Sequence, residues 1–153
     1  MAITEYNKYM PEAQGKGKLA NYQDYSAETK AAAEDIPYGV AVQLGTDRET
    51  VNVFAGGSPI GLALAQEPSD WQNPNANDQL YKAQIPVAVV RKGVLWVEVE
   101  EDVNIGDKAV ADNTTGNFRP DSTATTTVVA FPTATFKTAA LAGELAQLEI
   151  NLP

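Results

Sequence analysis

Five carboxylates crowd one short stretch of the chain: Glu98, Glu100, Glu101, Asp102 and Asp107, within VLWVEVEEDVNIGD. Paired carboxylates are the machinery of glycoside hydrolysis, which sets two of them about 5–9.5 Å apart across a sugar cleft. Glu98 and Glu100 stand two residues apart in a pattern that reads as a strand, so they share one face at roughly 6–7 Å. The spacing fits the chemistry, but any strand with acids at i and i+2 has it. A charged face that keeps a strand end in water explains the same residues more simply.

Other candidates are weaker. The chain has no histidine and no cysteine. Ser-His and Cys-His nucleophile pairs therefore cannot be built, and Ser58 in AGGS has no imidazole to activate it. No side chain titrates near neutrality without a strong shift, and a zinc site would have only carboxylate and amide ligands. DNTTGN (Asp112 to Asn117) resembles a calcium loop but lacks the later acids and the terminal bidentate Glu. An Asx-Gly turn accounts for it. GKGK (Gly15 to Lys18) lacks the spacing of a phosphate loop. The expectation is a protein that is not an enzyme and takes no cofactor and no metal.

Charge narrows the partners. The net charge is −9, with 11 basic residues scattered among 20 acidic ones. Nucleic-acid binders cluster Lys and Arg against phosphates, so no nucleic-acid partner is expected. No apolar run reaches the 18 residues that span a membrane, so no membrane partner is expected. MAITEYNKYMPE is too polar for a signal peptide. A soluble, unprocessed protein made in a cytosol is the expectation. Its 153 residues make about one domain, able to bury roughly 68–70% of the unfolded surface.

The elements that must position any site are strands. Residues 1–25 are polar, broken by Pro11, Gly15 and Gly17, and carry Tyr6, Tyr9, Tyr22 and Tyr25. They read as an extended N-terminal arm, whose tyrosines either grip a partner or cover the protein's own core. Residues 26–153 read as one β-rich domain. SAETKAAAED (Ser26 to Asp35) fits a short helix capped by Ser26, with an extended segment as the alternative. From there the period is two: GVAVQLG, TVNVFAGG and PIGLALAQE each alternate. PSDWQNPNANDQ (residues 68–79) is a long polar loop, of a kind that is usually functional or disordered. Its Trp71 either folds back as a lid or touches a partner. QIPVAVVRKG and VLWVEVEED read as two strands with a turn at Lys92-Gly93. In the second, Leu95, Val97 and Val99 share one face, and Val94, Trp96, Glu98 and Glu100 the other. A turn at Gly106-Asp107, a threonine-rich hairpin region and a final strand with Ala146, Leu148, Ile150 and Leu152 on its buried face complete the chain. Eight to ten short strands with almost no helix predict an all-β antiparallel β-sandwich, jelly-roll-like, or a small barrel.

MAITEYNKYMP, DIPYGVAVQLGT, FAGGSPIGLALAQE, VAVVRKGVLWVEVEEDVNIGDKAV and FKTAALAGELAQLEINLP, in that order along nearly the whole chain, resemble the structural cement proteins of tailed bacteriophages. The resemblance implies a capsid decoration protein. It would bind the outer surface of the icosahedral head, bridge major capsid protein subunits, and self-associate as a homodimer or homotrimer on the virion after synthesis in the host cytoplasm. Tyr6, Tyr9, Tyr22, Tyr25 and Trp71 are the expected contacts with capsid or sister subunits. Two other functions stay open. One is a virion-surface glycan-binding module stacking sugars on Trp71 and Trp96, with Glu98 and Glu100 as polar partners. The other is a head–tail connector component.

Overall fold

The computed structural model describes residues 15–20, 25–65 and 80–152. Among these residues it consists of strands and connecting turns, with no helix. The organising element is the longest strand, β7 (Pro86–Glu98), which serves two sheets in succession.

In the first, β1 (Ser26–Ala32) lies parallel to β4 (Thr50–Val53), which pairs antiparallel with β3 (Ala41–Leu44). Next come β5 (Pro59–Ala63) and the first half of β7, which closes back onto β1. The result is a small closed barrel of five strands, and closure leaves no unpaired sheet edge there. Alternation fills its interior with Val40, Val42, Val51, Ala63, Val87 and Val89. A two-stranded ribbon, β2 (Ile36–Pro37) and β6 (Leu80–Tyr81), adds Ile36 and Tyr81 to this core. Tyr81 meets Tyr38 edge-on, with ring centroids 5.2 Å apart, a favoured aromatic geometry.

The second half of β7 pairs with β11 (Leu145–Asn151) over its whole length, Lys92 opposite Asn151 and Glu98 opposite Leu145. Beyond β11 lie β10 (Val128–Phe136), β8 (Lys108–Asp112) and β9 (Phe118–Pro120). A bridge from Phe118 to Val99, just past β7, returns the far end of this sheet to its start. Leu95, Val97, Phe118, Phe136, Leu148 and Ile150 fill this second core. Each such buried side chain is worth roughly 1.5–3 kcal/mol relative to exposure.

Two sequence expectations are corrected. The Lys92-Gly93 turn does not exist, because the strand runs straight through it. The register against β1 slips between Ser26, opposite Lys92, and Ala27, opposite Val90, so Arg91 is an extra residue. Gly93 follows at φ 146°, and a Cβ there would lie 3.1 Å from that of Tyr25. A bulge with a glycine beside it re-aims a strand rather than reversing it, and here it carries β7 from one core to the next. The helix over Ser26 to Asp35 is also absent. Ser26–Ala32 is strand β1, the extended alternative. Alanine's helix propensity is small per residue, and a ladder on both sides of β1 overrides it.

Residues 15–20 lie along the free side of β7's second half. Gly17 N–H donates to Trp96 O at 2.7 Å, Trp96 N–H to Lys18 O at 2.9 Å, and Ala20 N–H to Val94 O at 2.8 Å. Glycine is required at this docking. Gly17 and Gly39 both have positive φ, and a Cβ on either would come within 2.7 Å of the other's backbone nitrogen.

Candidate functional site

The acids of the opening stretch do not form a pair. Glu98, the last residue of β7, is bound by Lys16 Nζ at 3.2 Å. Glu100 lies past the end of the strand and belongs to a different group, centred on Arg119 of β9. That guanidinium is a planar fork of donors matched to carboxylates, and all three of its nitrogens are used. Nη2 meets Glu100 at 2.9 Å, Nη1 meets Glu101 at 2.9 Å and Nε meets Asp112 at 3.2 Å. Threonines complete the network. Thr115 donates to Glu100 at 2.7 Å, Thr123 donates its hydroxyl to Glu101, and Thr114 gives Asp112 both its backbone N–H and its hydroxyl.

Asp112 is the buried member, 3% exposed. Burial alone would raise its pKa, but the Thr114 and Arg119 hydrogen bonds outweigh it and hold the carboxyl below the usual value. Hydrogen bonds from Thr123 and then Arg119 also lower Glu101. Hydrogen bonding to Glu101, despite some desolvation, raises Arg119 further. A general acid needs a carboxyl raised toward neutrality. These shifts run the other way, so this is a clasp holding charged groups in their charged forms. It joins β9, the end of β8 and the segment past β7, where the second sheet closes. The chain from Asp112 to Asn117 is the hairpin turn between β8 and β9, with Asp112 N–H on Asn117 O at 2.9 Å. The Asx-turn reading of DNTTGN describes it, with Asp112 Oδ1 accepting from Thr114 N–H two residues on.

Arg119 and its tie to Asp112 escaped the reading of the sequence, which treated the acids past β7 as a solvated face and Asp112 only as a turn residue. A signal was present: an Asx-turn residue ending an apolar strand, KAVAD, and one Arg between Phe118 and Pro120 on the neighbouring strand.

Of the expected contact residues, Tyr6, Tyr9, Tyr22 and Trp71 lie outside the described residues. Tyr25 is 47% exposed at the entry to β1, against Gly93. Trp96 is half-buried on the outward face of the second sheet, directly opposite Gln147. It lines an open groove of about 590 Å³ together with Thr138, Ala139, Glu144 and Leu145. Beside the groove, the ribbon pairing Val103 with Ala140 carries the two most exposed large aliphatic side chains among the described residues, Ile105 and Leu141.

A family model described as structural cement protein (E217 gp24/Pam3 gp6) matches residues 2–151. The chain belongs to this structural cement protein family of phages. The all-β fold of this cement-family chain is shared with solved phage structures. A chain of the capsid of Myoviridae phage XM1 superposes with a TM-score of 0.69 at 16% identity, covering 97% of this chain and 98% of that one. The head fiber gp8.5 N base of bacteriophage phi29 superposes with a TM-score of 0.52 at 14% identity, covering 84% and 95%. At these identities the likeness is one of fold. No curated protein matches the chain. The cement family supports a capsid role for this chain, in the virion, against capsid proteins, and a structural rather than catalytic task.

Proposed function

We propose that this protein decorates the outside of an icosahedral phage head, where it bridges neighbouring major capsid subunits and holds them against the pressure of packed DNA. The observation that carries this is the cement-family match over residues 2–151. The physical character of the chain suits the task. A fastener needs rigidity and contact area, and the two closed cores with the Arg119 clasp provide rigidity. Many copies on one lattice make modest single contacts collectively strong.

In this reading residues 1–25 are the arm. Its residues 15–20 lie against β7, and Tyr6 and Tyr9 are read as contacts with capsid or sister subunits. Tyr22, Tyr25 and Trp71 complete the contacts, and the protein works as a homodimer or homotrimer. An arm that adds backbone hydrogen bonds to a neighbour's sheet edge would bind by β-augmentation.

The test is decoration of shells made without this protein. Full-length chain should saturate them and raise their resistance to heat or osmotic shock. A chain lacking residues 1–14 should fold, melt like the parent, and fail to saturate. Full-length protein that ignores the shells would refute the function. A truncated chain that decorates fully would refute the arm alone.

A further inference from the structure

The groove at Trp96 has a feature that the arm does not explain. Two turns beside it are shaped by three carboxylates of this chain. Glu144 Oε2 accepts the N–H of Leu141 at 3.2 Å, and Asp102 Oδ1 accepts that of Ala142 at 2.9 Å. Asp107 Oδ2 accepts the N–H of Asn104 at 2.9 Å, shaping the turn that displays Ile105. The same bonds that fix the loops thrust Leu141 and Ile105 outward, 60% and 73% exposed, and set negative charge around them. Lys16 and Lys137 are engaged elsewhere, by Glu98 and by Glu149. Among the described residues Glu144 makes no ion pair, although it lines the groove beside the indole of Trp96.

An indole next to a carboxylate is a receptor for a side-chain cation, which lies over the ring and pairs with the acid. Tryptophan is also the residue type most often found to dominate an interface. Exposed aliphatic tips rimmed by acids complement a surface with the reverse character, an apolar hollow rimmed by Lys and Arg.

We infer that the Trp96 groove, with Leu141 and Ile105 at its margin, is the face that seats a basic segment of the capsid protein: an Arg or Lys over Trp96 paired with Glu144, and an apolar hollow over the two aliphatic tips. This rests on the proposed decoration function and names a contact surface on the body, beside which residues 15–20 lie along β7.

The test uses the full chain with both tryptophans kept, and shells assembled from the major capsid protein without decoration, with co-sedimentation and tryptophan emission as readouts and Trp96→Phe marking the part of the emission that belongs to the groove. Binding should shift the Trp96 emission. Glu144→Lys and Leu141→Asp alter exposed turns and should melt near the parent. Each should weaken shell binding by about 10- to 100-fold. Glu144→Gln, which keeps an acceptor for Leu141 N–H, should weaken it by about 10-fold and flatten its salt dependence. Wild-type affinity in all three variants would refute the groove and leave the decoration function standing. Parent protein that never binds shells would refute both. An emission shift with neutral oligosaccharides, and none with shells, would replace the basic segment with a glycan.

Discussion

Replacing Arg119 by Met tests how the second sheet is closed. The substitution keeps most of the aliphatic stem and removes one cation shared by three carboxylates. Their environments decide the size of the effect. Glu101 and Glu100 have side chains 35% and 18% exposed, so water can take over from the guanidinium, and each contributes at most about 1 kcal/mol. Asp112 has a side chain only 4% exposed. It keeps the Thr114 bonds but loses its countercharge, and an ion left buried without its partner costs about 3–5 kcal/mol. With Thr114 still in place, the lower end applies, and a loss of about 3–4 kcal/mol is expected. In a domain of this size each kcal/mol moves the melting temperature by about 2–4 °C, so the midpoint should fall by roughly 6–16 °C at pH 7.

The pH dependence carries a sign. Asp112 and Glu101 are held below their ordinary values in the folded state. Their contribution is therefore complete above the ordinary carboxylate range near pH 4 and is lost as pH falls through the depressed folded values. In Arg119→Met the guanidinium's share of that contribution is gone while the threonine hydrogen bonds remain, and protonation relieves the stranded Asp112. The gap between parent and variant should narrow as the solution is acidified below about pH 4. Calorimetric melts across that range measure it, and adding Asp112→Asn to Arg119→Met should recover part of the loss. A midpoint within a degree of the parent at pH 7, or a gap that widens in acid, would refute the account of the clasp.

Gly39→Ala should cost at least about 1–2 kcal/mol from its left-handed backbone. Its Cβ would also push residues 15–20 off β7, read as faster amide exchange at Trp96 N–H. Tyr81 lies buried with its hydroxyl on Leu64 O, and burial raises its phenol to about 12. An ultraviolet titration should show a tyrosine ionising at about pH 12, and that step should vanish in Tyr81→Phe.

Much of the fold was legible where one face of a strand is wet and the other dry. β11 shows this best, with Ala146, Leu148, Ile150 and Leu152 buried as its alternation required. The reading failed where local and tertiary preferences conflict. Ala-rich β1 has no stripe of its own and is a strand because two neighbours pair with it. Lys92-Gly93 has turn composition, but in the middle of a 13-residue strand it serves as a bulge and bend. Closure of two cores around one shared strand has no local signature, since it depends on pairings between distant segments such as Phe118 with Val99. The acids were visible and their partner was not. Arg119 lies 18 residues from Glu101, and the two turns read between them, at Gly106-Asp107 and at Asp112 to Asn117, do not say which acids the returning strand will meet. The face shared by Val94, Trp96, Glu98 and Glu100 was legible, but the groove's other walls, Thr138, Ala139 and Glu144, come from another turn.

The central claim is mechanical fastening on the outside of a phage head, and the position of this chain on an intact particle tests it most directly. Electron cryomicroscopy of purified virions should show its two-core body repeated over the whole outer shell, seated where major capsid subunits meet. Density confined to a ring at one vertex, or virions that lack the chain altogether, would contradict it.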